Sequence, residues 1–166
     1  MMHDSRNEHP VGRDKPFPWR CLKCLKRDVY PATVPYTAEV NHDGRLYEVQ
    51  VPALEIPRCR ACGELVFTNR VDEQITDALR AQLRLLTPVQ IRASRKALGL
   101  LQQELAERLG VAEATISRWE TGTLIQSRAM DNLLRAYFAL PELRAALRGV
   151  QQDPDFGAVV MSQQSG

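Results

Sequence analysis

The segment from Gln102 to Trp119 constrains the fold more than any other part of the chain, because it has the pattern of two short helices joined by a tight turn. Ala106 is small where the two helices would cross closely, and Gly110 stands where the turn requires a positive φ. Apolar residues occupy the positions where the helices would press together: Leu105, Leu109, Val111, Ile116 and Trp119. The pattern predicts a helix-turn-helix whose second helix faces outward, the arrangement that enters the major groove of DNA.

The polar residues of this segment are the candidate DNA contacts. Gln102 and Gln103 begin the first helix, where side-chain amides and free backbone N–H groups can hold a phosphate. Arg118 is the candidate for a base edge, because a guanidinium can bond bidentately to guanine O6 and N7. The remaining candidates lie on the second helix: Glu113, Ala114, Thr115 and Ser117. The alternative for each is an ordinary solvated position on an amphipathic helix.

If the chain binds DNA, its positive charge must be clustered near the motif, because the net charge of the whole chain is only +2. Arg92, Lys96 and Arg128 are candidates to neutralise phosphates around the motif. Arg95 and Glu120 are expected instead to pair with each other across two helices and to fix the motif.

Helix start and stop signals surround the motif. Thr87 is predicted to cap a helix that begins at Pro88 and ends before Gly99. Ser127 is predicted to cap a fourth helix, and Pro141 to open a fifth. The fourth helix has an apolar face made of Met130, Leu133, Leu134, Tyr137 and Phe138. These signals predict an all-α domain of five helices over residues 87–150.

All four cysteines of the chain stand in two C-x-x-C pairs, Cys21/Cys24 and Cys59/Cys62. Two intervening residues let both thiolates of a tight knuckle reach one metal ion, and two knuckles complete a tetrahedral shell of four sulfurs. The 34 residues between the pairs suit a small β-sheet that brings the knuckles together. We predict one structural Zn²⁺ per chain, which would substitute for the core that so small a β domain lacks.

Three other interpretations of the cysteines remain open. Iron in a rubredoxin-like four-sulfur site uses similarly separated pairs. A thiol–disulfide motif would more usually be a single C-x-x-C near a βαβ unit. The pairs can also be unbound structural thiols.

The rest of the chain predicts a two-domain α+β protein. Residues 1–18 and 151–166 have the composition of disordered segments. Residues 19–71 are β-like, with strands at 34–40 and 45–51 joined by a turn over Asn41–Gly44. Residues 72–86 have helical periodicity and predict a linker helix, with Ile75, Leu79, Leu83 and Leu86 on one stripe.

Several classes of function are disfavoured. No apolar run is long enough for a membrane span, and the N-terminus has no secretory signal, so a cytoplasmic protein with reduced thiols is expected. No nucleophile–base pair, phosphate-cradling glycine loop or carboxylate dyad is apparent, and we expect that the protein is not an enzyme.

With the motif and cysteines placed, the chain resembles a known family. Residues 88–148 resemble the Xre/Cro-type helix-turn-helix domain, and Cys21 to Arg148 as a whole resembles MqsA-type antitoxins, which join a YgiT-type zinc finger to such a domain. The resemblance implies a zinc-binding N-terminal domain that neutralises an RNA-cleaving toxin. It also implies a homodimer, formed through the C-terminal domain, that represses its own toxin–antitoxin operon.

Two positions depart from the family pattern. Leu101 stands where the family usually has a Thr or Ser helix cap. Ala114 stands where MqsA-type proteins have an Asn, so a bidentate adenine contact is lost and a different operator is expected. The alternative function is a stand-alone regulator in which the cysteine domain responds to metal or redox state rather than to a toxin.

Overall fold

The protein is described by a computed structural model over residues 15–150. It forms two compact units that divide between Leu83 and Arg84. The N-terminal unit is a three-stranded antiparallel sheet with a helix, and the C-terminal unit is helical, which confirms the two-domain α+β architecture. The predicted disorder of the two ends falls outside the described residues, except at residues 15–18.

The N-terminal sheet has the order β1-β2-β3. Its strands are β1 (Trp19–Arg20), β2 (Arg27–His42) and β3 (Arg45–Cys59). The turn between the long strands consists of Asp43 and Gly44, both with positive φ (55° and 73°), as a two-residue hairpin turn of the primed type requires. The predicted strands at 34–40 and 45–51 are therefore the distal halves of a longer hairpin. A β-bulge between Val34 and Tyr36 connects the halves.

One face of this hairpin is covered by helix α1 (Asn69–Gln82). Val71 and Ile75 of the helix are buried against residues of both long strands. The apolar residues buried together in this core are Ala38, Leu54, Ile56, Val71 and Ile75. The helix therefore belongs to the hydrophobic core of the N-terminal unit.

The prediction of a linker helix over 72–86 needs correction on this point. The helix begins three residues earlier and ends at Gln82, and Arg84 has a φ of 52°, which an α-helix cannot accommodate. Leu86 does not continue the stripe of the helix but packs against the core of the C-terminal unit. Apolar periodicity identified the helix but not the surface that it covers.

The C-terminal unit contains five helices over the described residues. They are α2 (Pro88–Ala97), α3 (Gln102–Leu109), α4 (Glu113–Thr121), α5 (Arg128–Ala139) and α6 (Pro141–Val150). Two predicted caps are confirmed: the Thr87 hydroxyl accepts from the Gln90 N–H at 3.2 Å, and the Ser127 hydroxyl accepts from the Met130 N–H at 3.2 Å. Gly110 ends α3 with a φ of 70°, as the turn of the motif requires.

The core of this unit is built from the predicted apolar positions of the motif together with α2 and α5. Its buried members are Ile91, Leu105, Ala106, Leu109, Ile116, Trp119, Leu134 and Tyr137. Met130, Leu133 and Phe138 of α5 are half-buried and pack against this core. Within residues 15–150, no helix has both the length and the apolar character needed to cross a bilayer.

Candidate metal centre and nucleic-acid interface

The four cysteines converge at one end of the N-terminal sheet. Their Sγ atoms all lie within 4.8 Å of one another. Cys21 and Cys62 are 3.6 Å apart at sulfur, and Cys24 and Cys59 are 3.7 Å apart. A disulfide would need about 2.05 Å, whereas a tetrahedron with metal–sulfur bonds of ~2.3 Å has edges of ~3.8 Å. The cluster can therefore bind one metal ion through four thiolates.

The two knuckles are held by equivalent backbone hydrogen bonds. The N–H of Cys21 donates to the carbonyl of Lys26, and the N–H of Cys59 donates to the carbonyl of Glu64, both at 2.8 Å. The residue after the second cysteine has a positive φ in each knuckle, 63° at Leu25 and 78° at Gly63. Glycine suits this conformation, but leucine adopts it at a cost of about 1–2 kcal/mol. The pairing of the long strands then brings the two knuckles together.

The thiols of this cluster cannot all ionise independently. Backbone hydrogen bonding from Cys24, which outweighs the effect of burial, lowers the pKa of Cys21 to about 7. A backbone hydrogen bond from Glu64 lowers the pKa of Cys62, but desolvation and the three neighbouring sulfurs together raise it to about 12. Four thiolates in this space require a cation, so metal binding would release protons.

In the C-terminal unit, the outer face of α4 carries most of the predicted DNA contacts. Glu113, Ala114 and Arg118 are exposed, whereas Thr115 and Ser117 are half-buried. The guanidinium of Arg118 has no hydrogen-bond or ion-pair partner in the part of the chain that the structure describes. An exposed cationic side chain in this position is available to a ligand outside the protein.

Sequence reasoning missed one further exposed residue on this face. Thr121 lies three residues after Arg118 and four after Ser117, so it continues the same helical stripe. Its hydroxyl bonds the backbone carbonyl of Ser117 at 3.0 Å. Extending the helical period by one turn beyond Trp119 would have identified it.

At the start of α3, both glutamine side chains have partners within the protein. The Gln102 amide donates to the carboxylate of Glu120 at 2.9 Å, and Gln103 donates to Glu107 at 3.0 Å. Leu101 offers no side-chain cap, and its own N–H donates to the Glu104 carboxylate at 2.7 Å. The N–H groups of the next three residues, Gln102 to Glu104, have no side-chain acceptor in the described chain, so they remain available to a phosphate.

Arg95 and Glu120 form a buried bidentate ion pair. Arg95 Nε and Nη2 donate to the two carboxylate oxygens at 2.6 and 2.9 Å, and Nη1 donates to the carbonyl of Leu100 at 2.6 Å. The Glu120 side chain is fully buried. The pair joins α2 to α4, so it fixes the motif helix from behind.

Hydrogen bonding in this network determines the titration of Glu120. Burial raises the pKa of this carboxyl, but hydrogen bonds from Arg95 and Gln102 and the charges of Arg95 and Arg92 outweigh it. The pKa of Glu120 is therefore lowered below its usual 4.5. Burial likewise opposes ionisation of Asp131, yet hydrogen bonds from Arg135, the Leu86 N–H and Gln126 lower its pKa below 3.8.

Two of the three predicted phosphate contacts also have partners within the protein. Arg92 lies 3.5 Å from Glu120, and Arg128 lies 3.6 Å from Asp131. Both side chains remain about half-exposed, so each can still face a phosphate. Lys96 is exposed at the end of α2.

Comparison with known proteins bears on the helical unit alone. Residues 91–139 match the helix-turn-helix family, and the match covers α3, α4 and α5 and most of α2. No curated protein matches the chain. The match and the exposed face of α4 agree that the C-terminal unit is a DNA-binding domain of the kind found in regulators, next to a unit that can hold a metal ion.

Proposed function

We propose that the protein is an antitoxin that binds operator DNA as a homodimer and represses its own operon, while its N-terminal unit neutralises an RNA-cleaving toxin. The proposal is carried by one observation, the presence of a complete four-cysteine cluster and a helix-turn-helix unit in the same chain. MqsA-type antitoxins, which the sequence resembles, have this combination. In this proposal the protein acts in the cytoplasm and is not itself an enzyme.

Zinc is the metal that we propose for the cluster. Four thiolates leave no open coordination position, which is typical of structural zinc sites. The metal would link β1 to the end of β3, because Cys21 follows Arg20 directly and Cys59 is the last residue of β3. Elemental analysis of the purified protein should give one zinc per chain, whereas a red colour and an iron content near one would assign the site to iron.

Operator reading is assigned to α4, with Arg118 at a base edge and the start of α3 on a phosphate. Two copies would place their reading helices about 34 Å apart on successive half-sites. The apolar face of α5 packs largely into the core of its own unit. The dimer contact is therefore assigned to α6. Leu140, which directly precedes this helix, is 49% exposed and would contribute apolar surface to the contact.

Toxin binding is assigned to the outer edge of β2. Within the described residues, β1 pairs with this edge only at Arg27 and Val29. The opposite edge of the sheet is better covered, because the Gln74 amide bonds both the N–H and the carbonyl of Glu55 at 2.9 Å. An unpaired edge is a template for a strand from another protein.

A substitution at Thr33 tests whether the outer edge of β2 binds the toxin. Since the backbone of Glu55 bonds Gln74, the opposing pair Thr33↔Glu55 exchanges no hydrogen bonds, and the Thr33 N–H points to the outer edge. Thr33→Pro removes that donor without removing a bond between β2 and β3. Thr33→Ala keeps the donor and is the matched control.

The decisive experiment is co-expression with the products of the neighbouring genes, followed by affinity purification and toxicity assays. We expect one partner to copurify and its toxicity to be relieved, with Thr33→Pro weakening the complex about tenfold relative to Thr33→Ala. If no neighbouring product binds, and metal removal abolishes operator binding, the protein is the alternative, a stand-alone metal- or redox-responsive regulator.

A further inference from the structure

A groove of about 470 Å³ lies beside the second metal knuckle in the N-terminal unit. Its walls come from β2 near Tyr30 and from the continuous segment Arg58–Gly63. Two arginines, Arg58 and Arg60, are among the lining residues, and both are exposed. Neither the predicted metal site nor the predicted DNA contacts include these arginines.

Both guanidiniums are held by neighbours that leave their hydrogen-bond donors available. Arg60 stacks on Tyr30, with Cζ 3.9 Å from the ring centroid, and stacking engages the plane of the guanidinium rather than its N–H edge. A Cβ on Gly63 would stand 3.6 Å from Nη2 of Arg58, so this guanidinium lies against the backbone of the knuckle. Among residues 15–150, neither arginine has an ion-pair partner.

The surrounding charge favours an anion. The two segments that form this end of the sheet, 19–31 and 57–66, contain six basic residues and two acidic ones, Asp28 and Glu64. Lys23 pairs with Glu64 at 2.9 Å, so that carboxylate is already neutralised. A four-thiolate centre holding a divalent cation would add two negative charges, and the basic residues still exceed the negative charge.

We propose that this groove is a binding site for a phosphate-type oxyanion, held by the N–H edges of Arg58 and Arg60. Two guanidiniums that line one groove offer several N–H donors to the oxygens of a phosphate, which suits an oxyanion better than a single-point ligand. The phosphate can be that of a small molecule or that of a nucleic-acid backbone, and the experiment separates these sources. The proposal does not depend on the proposed antitoxin function.

The test uses the metal-loaded full-length protein. Inorganic phosphate is titrated and followed by phosphorus NMR, and in a second arm a short random-sequence duplex is titrated into an Arg118→Ala background, where base reading is weakened. Arg58→Gln and Arg60→Gln remove one charge each from the groove. Arg27→Gln is the control, because Arg27 is an exposed basic residue at the same end of the sheet that does not line the groove.

Each groove variant should weaken binding about tenfold or more, and the control should change it by less than about twofold. If the groove variants bind phosphate more weakly than the Arg27→Gln control does, the site is assigned to a phosphate-bearing small molecule. If they bind only the duplex more weakly than the control does, the site is assigned to a nucleic-acid backbone. The proposal is overturned if neither arm shows selective loss or if Arg27→Gln weakens binding equally. It is also overturned if the groove variants lose their metal, because the arginines would then serve to compensate the charge of the four-thiolate centre.

Discussion

Arg118 is the residue that connects the C-terminal unit to a particular DNA sequence. It is exposed on α4, and its side chain forms no hydrogen bond or ion pair within the described chain that a substitution would break. Arg118→Ala should therefore weaken specific operator binding by about 1–3 kcal/mol and leave the thermal unfolding of the protein unchanged. Fluorescence anisotropy with operator and random duplexes measures this effect.

The control for that substitution is Arg45→Ala, which removes the same charge next to the turn of the N-terminal hairpin, at the first residue of β3. A loss of affinity that is equal for operator and random duplexes would show that Arg118 contacts a phosphate instead of a base. Equal losses from both variants would show that only net charge matters.

Glu120 links the stability of the C-terminal unit to pH. Its pKa is lower in the folded protein than its usual 4.5, so its ion pair with Arg95 contributes stability above pH 4.5. That stability is lost as the pH falls through the lowered pKa of the folded state. Glu120→Gln leaves Arg95 buried without its counter-charge and should cost about 3–5 kcal/mol at pH 7.

The difference in the free energy of unfolding between the wild-type protein and Glu120→Gln should therefore shrink as the pH falls from 4.5. Only the wild type has this carboxylate, so only the wild type loses its contribution. Urea unfolding of both proteins at pH 7 and at several values below about 4.5 measures that difference. Asp131 also titrates in this range, but it is common to both proteins and cancels. A difference that stays constant down to the lowest pH would contradict the assigned role of Glu120.

At the scale of elements, the sequence predicted what local signals determine. The Thr87 and Ser127 caps, Gly110 and the apolar period placed the helices of the C-terminal unit, because caps and helix faces are encoded within a few residues. The hairpin was predicted too short, since the proline-containing stretches around Pro31 and Pro57 lack the usual strand signature. Those prolines pair with each other across β2 and β3.

The remaining differences depend on contacts between distant residues. The four-cysteine cluster was predicted from spacing alone, but the left-handed conformation of Leu25 was not, because leucine disfavours it. Likewise, the sequence did not predict the partner of Gln102, whose amide donates to a carboxylate that lies 18 residues further along the chain. Short-range patterns identify such residues without identifying their partners.

Helix α1 stabilises the free edge of β3 through the side chain of Gln74. The Gln74 amide forms two hydrogen bonds of 2.9 Å with the backbone of Glu55, the N–H and carbonyl groups that a neighbouring strand would otherwise bond. Gln74→Ala should lower the free energy of unfolding of the N-terminal unit by about 1 kcal/mol. Glu73→Ala is the control, because Glu73 is exposed on the same helix and the same gain in helix propensity applies.

Hydrogen exchange of the Glu55 amide distinguishes the two variants most directly. Protection of that amide should fall in Gln74→Ala and remain in Glu73→Ala. Unchanged protection in Gln74→Ala would mean that solvent or another group serves β3 equally well.

At the scale of the whole molecule, two separate cores imply two separate unfolding units. The core of the C-terminal unit is built entirely from residues after Arg84, and the metal cluster lies entirely before Leu83. Removal of one ligand should therefore affect only the N-terminal unit. Cys59→Ser replaces a buried cysteine of the cluster at the end of β3 and should unfold that unit, because metal binding would supply a large part of the folding free energy of so small a domain.

Differential scanning calorimetry should show the loss of one of two transitions in Cys59→Ser, and elemental analysis should show the loss of the metal. Operator affinity should stay within about twofold of the wild type, provided that dimerisation resides in the C-terminal unit. Ala61→Ser is the matched control, because it places a hydroxyl in the same knuckle at an exposed position that is not a ligand. Retention of metal and of both transitions in Cys59→Ser would refute the four-thiolate site, and loss of operator binding together with the metal would favour a regulator whose DNA affinity responds to metal.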